Sequence, residues 1–107
     1  MNTYQSSLEA LADPTRRAIV ERLKEGPAAV GEIAEGLPVT RPAVSQHLRV
    51  LEGAGLVSHE THGTRHIYKV ELGGLGELRA YIDRLWDESL QRFKQAVEEP
   101  AKEKGRK

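Results

Sequence analysis

Between Thr40 and Arg49 the stretch TRPAVSQHLR sets Arg41, Ser45, Gln46 and Arg49 beside the apolar Val44 and Leu48, with no acid among them. These residue types suit hydrogen bonding to nucleic acid. Gln46 can pair in bidentate fashion with adenine, Arg41 or Arg49 can take guanine or a phosphate, and the Ser45 hydroxyl serves a base or a backbone oxygen. The stretch lies inside an acid-free interval of sixteen residues between Glu35 and Glu52. A second such interval, ten residues between Glu60 and Glu71, carries Arg65 and Lys69 with His62 and His66. Over the whole chain sixteen basic and sixteen acidic residues cancel, so any attraction for phosphate is local to these two segments.

Those side chains need elements to hold them. With 107 residues, 38% hydrophobic and 30% charged, the chain can bury one core but not two. No cysteine is present, which excludes a disulfide framework and thiolate metal ligation and suits a reducing compartment. No apolar run approaches the ~20 residues of a membrane span, and MNTYQSSLEA lacks the features of an export signal. The expectation is a cytoplasmic protein with no membrane partner.

Along the chain, Ser6-Ser7-Leu8-Glu9 has the spacing of a capping box, and Leu8, Leu11 and Ala12 give a short first helix an apolar side. Asp13-Pro14 then caps a second helix carrying Ala18, Ile19 and Leu23 until Gly26-Pro27. Val30, Ile33, Ala34 and Leu37 mark a short third helix, broken around Gly36 to Pro38. Thr40 caps a fourth, with Pro42 in its first turn and Val44, Leu48 and Leu51 as its apolar stripe up to Gly53. Beyond Gly55 the period shortens. Leu56 to Glu60 and Arg65 to Leu72 read as strands joined through Thr61-His62-Gly63-Thr64. After Gly73-Gly74, read as a linker, a long helix extends to about Glu98 on Leu75, Leu78, Ile82, Leu85, Trp86, Phe93 and Val97.

The predicted class is therefore mainly α with a small β-hairpin, in the order α-α-α-α-β-β-α: a winged helix-turn-helix. One domain spans residues 1–98, with a recognition helix at about 41–52, a wing at about 56–71 and a dimerisation helix at about 75–98. The charged segment 99–107, EPAKEKGRK, in which Pro100 stops the helix, is expected to be a disordered tail. With Val44, Leu48 and Leu51 inward, Thr40, Arg41, Pro42, Ser45, Gln46 and Arg49 form the expected DNA face, joined on the wing by His62, Thr64, Arg65 and His66. The competing reading is an ordinary solvated helix face with Thr40 and Ser45 in local caps. His47, between the two sides, is expected to pack against the core with a hydrogen bond.

LADPTRRAIVERL (Leu11 to Leu23), GEIAEGL (Gly31 to Leu37), RPAVSQHLRVLEGAGLV (Arg41 to Val57) and GTRHIYKV (Gly63 to Val70) together resemble the ArsR/SmtB family of bacterial winged-helix repressors. The resemblance covers about the first two-thirds of the chain. It implies a homodimer on a palindromic operator, joined through the first and last helices. Ala29 departs from the family pattern, which often has a Ser or Thr cap there, so the third helix is expected to start less firmly. The family's metal sensors use a cysteine pair on the third helix or Asp and His ligands on the last. This chain has no cysteine, and its last helix offers Asp83, Asp87, Glu88 and Glu98 without a histidine. No metal site and no cofactor are expected.

His59 and His66 could meet across the hairpin and with His62 bind zinc, but a mobile wing tip favours a pH-sensitive attraction to phosphate instead. Leu8, Ile82, Leu85, Trp86 and Phe93 are too large an apolar set to leave wet, so they are assigned to a homodimer interface, while Leu75 and Leu78 fold back on their own domain. No catalytic spacing or phosphate-cradling loop is present, so the chain is not read as an enzyme. The expected function is a dimeric, sequence-specific DNA-binding repressor of unknown inducer. The alternatives are a winged helix serving a protein partner and a regulator that binds a small molecule between the dimer helices near Trp86.

Overall fold

A computed structural model describes residues 3–106, with side chains from Tyr4 to Glu98. Its elements are α1 (Thr3–Leu11), α2 (Pro14–Leu23), β1 (Ala28–Ala29), α3 (Val30–Glu35), α4 (Arg41–Gly53), β2 (Val57–His62), β3 (Arg65–Val70) and α5 (Leu72–Arg106). The mainly helical class and the helix-turn-helix followed by a hairpin match the expectation. One element is additional: β1 pairs antiparallel with β3, Ala28 opposite Tyr68 and Ala29 opposite Ile67, so the hairpin belongs to a three-stranded sheet. Two alanines carry too little pattern to announce a strand; what makes them one is the free edge of β3 beside them.

The core is where periodicity put it. Ile19 and Leu23 of α2, Ile33 of α3, Val44, Leu48 and Leu51 of α4, and Leu56 and Val57 at the start of the hairpin form one buried cluster with Tyr68. Helix α2 starts as its sequence requires: the Asp13 carboxylate accepts the Arg16 backbone N–H at 3.0 Å, and Pro14 takes the first position. That hydrogen bond, ahead of the charges of Arg16 and His47 and against partial desolvation, holds the Asp13 carboxyl below its ordinary value. A depressed folded-state pKa stabilises the fold above the unfolded value of 3.8, and the contribution is lost as pH falls through the folded value. Thermal melts from about pH 6 down to about pH 3 should therefore show a steeper acid loss for the native chain than for Asp13→Asn, which keeps the cap without the charge. Parallel losses would remove this role.

Helix α3 starts more firmly than Ala29 suggested. The Ala29 side chain caps nothing, but the Glu32 carboxylate accepts the Ala29 backbone N–H at 2.8 Å, and β1 pairing fixes the same residue from the other side. In the hairpin, β2 runs two residues further than expected, to His62, while β3 stops at Val70, two residues short of Leu72, where α5 begins. His62 pairs with Arg65, which leaves Gly63 and Thr64 as a two-residue turn with Gly63 at φ +66°.

Three helix ends correct the sequence reading. Helix α1 already includes Thr3, so Ser6 is no cap. Ser7 is instead fully buried and donates to the Ala54 carbonyl at 3.4 Å, because small Ser7 and Ala10 let α1 lie against the end of α4. Helix α5 begins at Leu72, not Leu75, taking in Gly73 and Gly74; a Cβ on Gly74 would collide with the Gly55 carbonyl, so the glycine permits close packing and is no linker. The helix also runs through Pro100, where the disordered tail was expected to begin, up to Arg106. A proline removes one N–H and crowds the preceding turn, but the residues after it, Ala101 to Lys104, favour helix. Lys107 lies outside the described residues.

Candidate nucleic-acid interface

Helix α4 is held from two sides. Thr40 caps it, its Oγ1 accepting the Ala43 N–H at 3.3 Å, and Val44, Leu48 and Leu51 are all 0% exposed. At about 100° of rotation per residue, Gln46 lies nearly opposite that stripe, with Pro42 and Arg49 beside it. All three are exposed, and Ser45 is half-buried. Arg41 does not share this ridge. It falls on the same flank as Glu52, and its guanidinium lies across Gly31 of α3. The opposite flank carries His47, half-buried, whose Nδ1 accepts from Arg16 Nη1 at 3.5 Å.

Arg16 was not singled out by the sequence. Its Nε donates to the Ala10 carbonyl at 2.7 Å and its Nη2 to the Glu9 carbonyl at 3.4 Å, so one side chain ties the end of α1 to α2 and to the recognition helix. Arg17 adds bonds to the carbonyls of Leu11 and Ala12 at 2.9 and 3.1 Å. The available signal was two cations in the first turn of α2, where a helix favours anions; the unsatisfied carbonyls at the end of α1 account for them.

The wing is fastened to both helices of the motif. His59 Nδ1 sits 3.0 Å from both carboxylate oxygens of Glu52 on α4, and Arg65 Nη2 lies 3.4 Å from Glu32 Oε1 on α3. His59 meets His66 edge to face, ring centroids 5.1 Å apart, as the hairpin spacing suggested, and also tilts onto the buried Tyr68 at 4.9 Å. Burial, then the Glu52 charge, pushes the Tyr68 phenol up, with Arg49 opposing. His62 does not join the pair. It faces Glu60 at 3.3 Å, while His66 Nδ1 contacts Thr61 Oγ1 at 3.3 Å. Among the described residues no three His, Asp or Glu are placed to hold a metal. The residues of α5 do not fit the family's metal site either: it has no histidine, and Asp83 is engaged by Arg79 at 3.7 Å. Arg41, Thr64, Arg65 and His66 line one concavity between α3 and the wing, together with Glu32 and Glu35.

The remaining apolar surface is on α5. Leu78 is buried and Leu75 packs on the core, as expected, whereas Leu8, Ile82 and Leu85 are about half exposed and Trp86 and Phe93 are 66% and 64% exposed. Tyr4 of α1 stacks on Tyr81 of α5 at 4.2 Å and 7°, so α1 braces the base of a helix that projects from a molecule 73 Å long and 25 Å across. Among the described residues no helix is long and apolar enough to cross a membrane.

The segment 11–60 matches the helix-turn-helix domain model. The chain is 52% identical over 101 residues to the HTH-type transcriptional regulator Rv2034 of Mycobacterium tuberculosis, covering 92% of this chain and 94% of that one. Among solved structures it is similar to an ArsR-like transcriptional regulator from Rhodococcus sp. RHA1, at 30% identity and TM-score 0.75 over 90% of this chain and 93% of that one. It is similar also to the homodimeric winged helix-turn-helix DNA-binding domain Mb0332 from Mycobacterium bovis, at 29% identity and TM-score 0.65, covering 84% and 83%. With four sequence segments in order, a buried helix-turn-helix core, a wing locked to it and a relative matched over nearly its whole length, the chain belongs to the ArsR/SmtB family of winged helix-turn-helix transcriptional regulators.

Proposed function

We propose that this regulator acts in the cytoplasm as a homodimeric repressor that reads a palindromic operator, without the family's metal sites. One observation carries the reading: Gln46 and Arg49 stand on an exposed, carboxylate-free ridge whose opposite side is fixed by three wholly buried residues. Such a helix offers side chains to the major groove while its core prevents rotation. Self-association is supported by the projecting α5 and its exposed Ile82, Leu85, Trp86 and Phe93, with Leu8 on α1, and by the homodimeric neighbour. A twofold pair sets two ridges about 34 Å apart, one helical turn of DNA.

Selection from random duplexes, with and without metals, tests operator, symmetry and metal independence together. A palindromic site bound with a salt slope of about −0.9 per neutralised phosphate is the expected outcome; salt-insensitive or absent duplex binding would favour the protein-interaction reading. On the selected site, Gln46→Ala should relax preference at one base pair by about 1 to 3 kcal/mol and leave the melting temperature unchanged. A concentration-independent monomer mass at micromolar protein would refute the dimer.

A further inference from the structure

We propose that Arg41 grips the DNA backbone and not a base edge, and that Gly31 is the seat that holds it in that role. The inference deepens the operator-binding reading above and rests on it. Arg41 is the first residue of α4, on the flank of the helix that also bears Glu52, whose carboxylate reaches the wing at His59. The base-facing ridge of Gln46 and Arg49 lies on another side. A Cβ placed on Gly31 would stand 2.9 Å from Arg41 Nη2, 3.0 Å from Cζ and 3.4 Å from Nε, so the guanidinium occupies the space beside the bare Gly31 backbone of α3. From there it faces the concavity shared with Thr64, Arg65 and His66 of the wing. A first-turn side chain of a recognition helix could reach a base edge, but Arg41 is drawn aside onto α3 and toward the wing, away from the ridge, where a cation meets the sugar-phosphate backbone.

Charge pairing within the concavity points the same way. Of the two carboxylates that line it, Glu32 is committed to the Ala29 N–H and to Arg65, and Glu35 forms no ion pair with Arg41, whose side chain has no hydrogen bond or ion pair among the described residues. A guanidinium without an ion-pair partner, lodged beside the Gly31 backbone, is a ready partner for a phosphate oxygen, which would bridge helix and wing. The residue at 31 matters because any side chain there occupies the guanidinium's place. The colliding atoms are the far end of a flexible side chain, so Gly31→Ala displaces Arg41 without disturbing the fold.

The test measures affinity against salt for the full-length protein on its selected operator and on duplexes carrying single base-pair changes. Arg41→Ala should weaken every duplex by the same factor and reduce the salt slope by about 0.9 per protomer. Arg41→Lys should restore the slope, since a point charge serves a phosphate but cannot replace a bidentate grip on guanine. Gly31→Ala should reproduce the Arg41→Ala slope at an unchanged melting temperature. A change in base preference at one position with the slope intact in Arg41→Ala would overturn the assignment while leaving the operator reading standing, and a native slope in Gly31→Ala would remove the seat. If the native protein shows no salt-steep duplex binding, both readings fall together.

Discussion

Leu48→Ala is expected to destabilise the protein by about 2 to 5 kcal/mol, a large part of the stability of a domain this size. Leu48 is 0% exposed and lies at the centre of the α4 stripe, between Val44 and Leu51, in the cluster shared with Ile19, Ile33 and Leu56. Removing three carbons there forfeits their transfer free energy and leaves a cavity in a cluster that also holds residues of α2 and α3. Urea unfolding measures the loss. Operator binding should fall only as the unfolded fraction rises, so protein kept below its unfolding transition should retain native affinity per folded molecule. That behaviour contrasts with Gln46→Ala, two residues away on the opposite, outer face, where stability holds and selectivity goes. A Leu48→Ala variant as stable as the parent would mean that α4 is not anchored as described.

Gly74→Ala is the second large effect, and here two terms of opposite sign compete. Helix propensity alone favours alanine over glycine inside α5 by about 1 kcal/mol. Against it, the new methyl would meet the Gly55 carbonyl, a backbone atom that cannot swing aside, and Glu71 N–H to Leu56 carbonyl at 2.8 Å ties the same two segments together. Forcing an extra carbon into such a contact costs about 1 to 3 kcal/mol or more, so the net sign is destabilising. Gly73→Ala and Gly76→Ala are the internal controls: nothing lies within 4 Å of a Cβ at either, and both should gain stability. Because Gly74 sets the angle at which α5 leaves the domain, its variant should also weaken dimer formation. If all three substitutions stabilise equally, the close approach is not what fixes α5.

Much of this molecule was written in local spacing. The stripe of Val44, Leu48 and Leu51, the Asp13-Pro14 start of α2, the glycine turn of the wing and the surplus of large apolar residues on the last helix all follow from intervals of two to four residues. Such intervals decide which side of a helix or strand is apolar, and with it which side is left for a partner. The ridge of Gln46 and Arg49 was legible for the same reason. Approaches between segments far apart in the chain were not. Arg41 turning onto Gly31, Arg16 reaching from α2 to His47, Glu52 meeting His59, β1 joining the sheet and Gly74 lying against Gly55 are each fixed by where two elements happen to touch. Periodicity states that a face will be buried or exposed, whereas the docking of one element on another selects which long polar side chain finds which neighbour.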